Sequence, residues 1–259
     1  MKKKIYIFNG WEDSSKWIAD YFINYVKKHP QANLGFATGV SPLGVYALIK
    51  KDHKENHTDW SGIKSFNLDE FVGVPLSNKE SFRHQMDTNL FCGINLKKEN
   101  IFIPDGLSAH PCEEAKAYEA KINKAGGIDL QYISLGANGH MAYDEPGTPL
   151  DSLTHVTELN PKTRDVLVAQ GKFASLDETP TQAITVGVQT IMNFKQMFMI
   201  AIGENKRVPA KWMLEGPVCT EVPSSKLQEH PNTVYILDSA AAADLDLSKF
   251  DVTDFRGSK

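Results

Sequence analysis

The stretch at residues 129–150, DLQYISLGANGHMAYDEPGTPL, decides how the fold is read. Leu130, Tyr132, Ile133 and Leu135 make an apolar run of strand length, which predicts a buried strand over residues 129–135. The residues after that strand hold more than a turn. Asn138-Gly139 is a turn signal, and Pro146 biases Glu145 away from helix. The loop is therefore expected to be fixed and non-helical. On it stand an amide, an imidazole and two carboxylates: Asn138, His140, Asp144 and Glu145. A turn needs the glycines and prolines, not these four. One reading is an incidental loop histidine. The other is a catalytic pair of His140 and Glu145 at a strand exit.

Outward from this stretch, short apolar runs alternate with helical patterns. Strands are expected over residues 4–8, 34–37, 63–67, 197–202 and 233–237. Trp17, Ile18, Tyr21, Phe22, Tyr25 and Val26 fall on one helical face, and Pro30 closes that helix. A second helix is expected from Ser41 as N-cap, with Pro42 in its first turn, to about Ile49. A third covers residues 113–124 and stops at Gly126-Gly127, and a fourth lies within residues 204–214. Strands alternating with helices predict an α/β fold with an open, mostly parallel sheet and helices on both faces. No repeat or linker divides the chain, so one domain over residues 1–259 is expected.

Composition narrows the function. The 259 residues include 28 basic and 32 acidic ones, a net charge of -4, and 41% are hydrophobic. A core can form, and a nucleic-acid partner, which would favour a basic excess, is not expected. No apolar run approaches the length of a membrane span. The start, MKKKIYIFNGWEDS, lacks the apolar region of a signal peptide. Cys92, Cys112 and Cys219 are scattered and odd in number, which fits reduced thiols in a cytoplasmic protein. No cysteine or histidine spacing matches a zinc site, so no metal is expected.

In such sheets ligands bind beyond the carboxyl ends of the strands. Three further segments sit there. After Ala37 comes TGVSP, where Thr38, Gly39 and Ser41 lie between a strand and a helix N-terminus. This is either an anion site or a simple capped turn. After Phe66 comes NLDEFVG, whose Asp69 is either a base at the strand mouth or part of a solvated acidic loop. After Ile202 comes GENKR. Lys206 near a helix start opposes the helix dipole unless an anion binds, Glu204 compensates it, or the helix begins later, at Pro209.

Taken together, ATGVSPLGVYALI, FNLDEFVG, LGANGHMAYDEPGTPL, PTQAITVGVQTIM, GENKR and LEGP, with HPNTVYILD after them, resemble the glucosamine-6-phosphate deaminases or isomerases, in the family's order and over most of the chain. The resemblance implies a modified Rossmann-like sheet. It implies a cofactor-free aldose-ketose isomerisation with loss of ammonia, from glucosamine 6-phosphate and water to fructose 6-phosphate. The expected partner is thus a small amino-sugar phosphate. Asp69 would be the base that moves a proton between C2 and C1. His140 would open the sugar ring, with Asn138 and Glu145 as its partners. Thr38, Gly39, Ser41 and Lys206 would hold the phosphate, and Lys172 matches a second phosphate cation, an Arg in familiar members. Three departures stand out. Val40 replaces a smaller residue and is expected to narrow the phosphate loop. Asp144 replaces an Asn and adds a negative charge beside the catalytic pair. PSSKLQ at residues 223–228 resembles a segment of some galactosamine-6-phosphate isomerases. That enzyme, giving tagatose 6-phosphate, is the main alternative; a 6-phosphogluconolactonase and a sugar-phosphate-sensing binding protein rank below it. Self-association is left open.

Overall fold

The computed structural model of the chain describes residues 2–257. In chain order its strands and helices are β1 (Lys4–Phe8), α1 (Trp11–Lys28), β2 (Asn33–Phe36), α2 (Leu43–Asn56), β3 (Lys64–Asn67), β4 (Asp69–Phe71), α3 (Phe82–Asn89), β5 (Ile101–Phe102), α4 (Pro111–Lys124), β6 (Leu130–Ser134), β7 (His155–Glu158), α5 (Pro161–Ala169), β8 (Gln182–Thr185), α6 (Val188–Met192), β9 (Met197–Ala201), α7 (Arg207–Glu215), β10 (Thr233–Asp238) and β11 (Asp251–Asp254). Eight strands form one sheet in the order β11-β1-β10-β9-β6-β2-β3-β5, with every pairing parallel. The predicted α/β architecture is the one observed.

The alternation of side chains along each strand divides the core between two faces. Met197 and Met199 of β9 pack with Tyr118 and Ile122 of α4 and with Met213 and Leu214 of α7. Phe198 and Ile200, one residue out of phase, pack with Ile18, Phe22 and Val26 of α1 and with Val45 and Ile49 of α2. Both faces are thus apolar, which is why these strands read as nearly continuous hydrophobic runs.

Two expectations need correction. Ser41 does not cap α2. Pro42 occupies the cap position without a side-chain bond, and the Ser41 hydroxyl lies 2.8 Å from the Tyr132 hydroxyl of β6. The helix also continues past Ile49 to Asn56. Beside the expected parallel sheet the chain forms a further one. A second, three-stranded sheet in the order β4-β8-β7 is antiparallel throughout. It packs with α3 and α5 around Phe71, Phe82, Leu167 and Phe173.

The hinge between the two sheets is Leu68. β3 ends at Asn67 in the parallel sheet, and β4 begins at Asp69 in the antiparallel one. Glu70 anchors this change of partner. Its buried carboxylate accepts hydrogen bonds of 2.9 Å from the backbone N–H groups of Phe71, Phe82 and Arg83 and from the Ser81 hydroxyl. These donors belong mainly to the first turn of α3, where an acceptor is needed and a negative charge is favoured. Glu70→Ala should strip these donors of their partner and destabilise the fold by on the order of 3 kcal/mol. Urea unfolding measures this; an unchanged midpoint would show that Glu70 does not anchor β4 to α3.

Candidate active site

The carboxyl ends of β2, β6 and β9 are adjacent in the sheet, and β3 lies beside β2. The four segments singled out in the sequence leave the sheet at these ends.

The loop after β6 is built around His140. Gly136 lies beneath the imidazole; a Cβ there would fall 2.3 Å from the ring atoms, so only glycine lets the ring fold back over the strand exit. Gly139 takes a φ of 88°, which an L side chain resists. The His140 backbone N–H donates to Asn138 Oδ1 at 3.2 Å. Asn138 Nδ2 donates to Glu145 Oε2 at 2.7 Å, and the Thr163 hydroxyl donates to Glu145 Oε1 at 2.6 Å. His140 Nδ1 lies 3.7 Å from Glu145 Oε2, at ion-pair range. That Nδ1 is sealed from solvent on the side of Glu145. Burial works to raise the Glu145 carboxyl, but His140, Thr163 and Asn138 outweigh it and hold it down at about 2. Glu145 is therefore a fixed negative charge behind the imidazole.

Asp69 has the opposite environment. It is buried, and among the described residues its carboxyl receives no hydrogen bond. Burial, with the negative charge of Glu70 added, pushes it up to about 8. Such a carboxyl is a stronger base than a solvated one. The solvated-loop reading of Asp69 is thereby set aside. Asp144 is buried deeper still, and burial together with Asp69 raises it well above the ordinary carboxyl range. Burial thus works against the second negative charge expected beside His140 and Glu145.

The third element is a cradle with positive potential. Thr38, Gly39 and Ser41 form the loop before α2, with Gly39 at φ 93°. The first N–H groups of α2 are unpaired within the helix and point to that loop. Lys206 donates from Nζ to the Leu135 carbonyl at 2.7 Å, which carries its ammonium across to the end of β6. Burial lowers its pKa, and among the described residues it has no carboxylate partner. The helix after it begins at Arg207, one residue later than Lys206 and two before Pro209. Val40, between Gly39 and Ser41, is 73% exposed.

Lys172 lies after α5, beside Phe173 in the small cluster of Phe71 and Tyr143, and among the described residues no hydrogen bond or ion pair links it to the other site residues. Thr163 is the site residue that sequence reasoning missed. Its signal was Asn160-Pro161, a cap and then a first-turn proline, which places Thr163 in the opening turn of α5.

A raised carboxyl, an imidazole beside a lowered carboxylate, and a half-buried cation at the end of β6 fit a site for proton transfer on an anionic small molecule. The chain belongs to the family described as glucosamine-6-phosphate isomerases/6-phosphogluconolactonase, which matches residues 11–236. It is 50% identical over 242 residues to the glucosamine-6-phosphate deaminase of Mycoplasmopsis pulmonis, covering 93% of this chain and 94% of that one. It is 40% identical to the glucosamine-6-phosphate deaminase of Clostridium perfringens, over 92% of this chain and 98% of the relative. Among solved structures, a monomeric glucosamine-6-phosphate deaminase superposes with a TM-score of 0.88 at 32% identity, over 93% of this chain and 99% of that one. A 6-phosphogluconolactonase from Trypanosoma cruzi superposes with a TM-score of 0.76 at 19% identity, a likeness of fold alone.

The burial of Asp69 has a consequence for stability. In the fold its carboxyl holds a proton up to about pH 8, against an ordinary value of 3.8. Between these limits the unfolded chain binds fewer protons, so its contribution to stability falls as pH rises, by at most about 1.4 kcal/mol per unit. Asp69→Asn does not titrate. Its melting temperature should therefore gain on the wild type as pH is raised from 5 to 8. A constant difference across that range would show the carboxyl already ionised in the fold.

Proposed function

We propose that this chain is a glucosamine-6-phosphate deaminase, converting glucosamine 6-phosphate and water to fructose 6-phosphate and ammonium without a cofactor. The observation that carries this reading is the opposed tuning of two carboxyls around one imidazole. Asp69 is pushed up to about 8 while Glu145 is held at about 2, at the exits of β3 and β6, which flank β2 in the sheet. The names of the relatives supply the substrate.

In this reading the phosphate rests on Thr38, Gly39, Ser41, the N-terminus of α2 and Lys206. A dianion there offsets the partial desolvation of the Lys206 ammonium and complements the helix dipole. Lys172, from the loop after α5, is the second cation. His140 Nε2 exchanges a proton with the ring and anomeric oxygens, opening the pyranose to the aldehyde. Glu145 stabilises the imidazolium that forms, as a carboxylate does in a hydrolase triad, and Asn138 and Thr163 hold Glu145 in place. The aldehyde acidifies the C2 proton. Asp69, poorly solvated, takes that proton and returns one to C1, leaving an imine at C2 that water hydrolyses to the ketone and ammonia. A cytoplasmic location agrees with three unpaired cysteines, two of them exposed.

The test is release of ammonia from glucosamine 6-phosphate and from its C4 epimer, galactosamine 6-phosphate, measured side by side. Turnover on the first should exceed that on the second; the reverse order would assign the chain to the galacto substrate. In the same assay Asp69→Asn should lose on the order of 10²–10⁴-fold in kcat while remaining folded. A folded mutant with near-native turnover would remove Asp69 from the role of base.

Lys206 lies away from the reacting carbons and should bind ground and transition states alike. Lys206→Ala is expected to raise KM about tenfold or more, with a smaller effect on kcat. A KM equal to that of the wild type would place the substrate phosphate elsewhere.

A further inference from the structure

Asp144 is not used by the reaction as described, yet it is the most enclosed carboxyl of the site. Its side chain is 0% exposed and neither oxygen has a hydrogen-bond partner. An ionised carboxylate in that position would be severely penalised, whereas a protonated one is tolerated. Its surroundings are set by the small antiparallel sheet. Asp69 of β4 and His155 of β7 are both paired with Thr185 of β8, so the three form one rung. Residues opposite one another in such a rung project from the same face. The loop after β6 crosses that face, where the Tyr143 backbone N–H donates to the Thr185 hydroxyl at 3.0 Å. Asp144, the next residue, then comes to 4.0 Å from His155 Nε2 through Oδ1. The ionisable groups facing Asp144 are Asp69 from β4 and His155 from β7, with Tyr143 and Glu145 flanking it on its own loop.

The imidazole of His155 has a defined tautomer. Its Nδ1 lies 2.9 Å from the Leu153 carbonyl, which only accepts, so Nδ1 carries the proton. Nε2 then presents its lone pair to the Asp144 carboxyl. The His155 side chain is 30% exposed, so the far end of this arrangement reaches solvent. Of the three, Asp144 is the most enclosed and His155 the most exposed.

We propose that Asp144 and His155 form a proton path between Asp69 and solvent, with Asp144 a positioning residue that acts through the base. The inference rests on Asp69 being that base. After Asp69 has taken the C2 proton, it passes that proton to Asp144 as Asp144 gives its own to His155 Nε2. The imidazolium releases a proton to water. The same steps in reverse return a solvent proton to Asp69 for delivery to C1. Only O–H and N–H bonds change, and no net charge is created. The 4.0 Å separation closes by a small rotation of either side chain, a tightening expected when a site is occupied.

The experiment traces a deuterium label from C2 of glucosamine 6-phosphate, in ordinary water, into C1 of the product, read by mass spectrometry. The wild type should lose a substantial part of the label to solvent. Asp144→Asn keeps the shape and removes the acidic proton, and His155→Gln cuts the path at its exposed end. Each should raise the retained fraction about twofold or more relative to the wild type, with product still formed. A loss of packing alone would slow turnover without changing that fraction. Should Asp144→Asn fail to fold, His155→Gln at the rim gives the same reading. Equal retention in the wild type and His155→Gln overturns the path. Normal turnover of Asp69→Asn overturns the base itself, so the two failures are distinct.

Discussion

Two adjacent carboxyls, Asp69 and Glu70, point to opposite sides of a three-residue strand, and the fold treats them in opposite ways. Glu70 receives three backbone N–H groups and a hydroxyl. Asp69 receives none among the described residues and stays buried. The first arrangement fixes where β4 leaves the parallel sheet. The second leaves a carboxyl that is poorly solvated and ready to take a proton. Neither is possible without the other. An unsupported Asp69 holds its position only because its neighbour is bound tightly to the start of α3, and the strand pairing with β8 carries both.

The same contrast recurs across the cleft. Glu145 is nearly as buried as Asp69, each being 7% exposed, yet its oxygens are taken by Asn138 and Thr163 and faced by His140. Burial alone does not set the character of these groups; its balance against hydrogen-bond supply does. At Glu145 the donors and His140 prevail and the carboxyl is lowered, at Glu70 burial still prevails over four donors and the carboxyl is raised, and at Asp69, without donors, burial acts unopposed. The site thus obtains an electrostatic partner and a base from the same functional group, which is the usual way a fold separates acid and base roles at neutral pH.

The parallel sheet was legible in the sequence because its central strands β6, β9 and β10 are buried on both faces and mostly apolar. YISL and MFMIA leave little choice of structure. The antiparallel sheet was not. Its strands read DEF, HVTE and QAIT, too short and too polar to show a period. Its pairing of Asp69 with Thr185 joins residues far apart in the chain, and no local signal predicts such a contact. The loop residues Asn138, His140 and Glu145 could be read from chemistry and turn geometry. Thr163 could not, since a threonine in a first helical turn is ordinary. Ser41 shows the opposite error. It has the sequence mark of a cap, but Pro42 takes that place and the hydroxyl turns to Tyr132.

That second sheet explains why the site needs a part the parallel sheet does not supply. The parallel strands end with their loops at one edge, which suffices for a phosphate held by helix N–H groups and a lysine. Proton transfer between two carbons requires a base fixed from another direction, with its back closed to bulk water. The β4-β8-β7 rung does this, since it sets Asp69, Thr185 and His155 in line and lets the loop after β6 close over them. The closure buries Asp144 as well, and burial favours its neutral form. The fold thereby gives three carboxyls of one site opposed shifts, Asp69 and Asp144 raised by burial and Glu145 lowered by His140 and its hydrogen-bond donors.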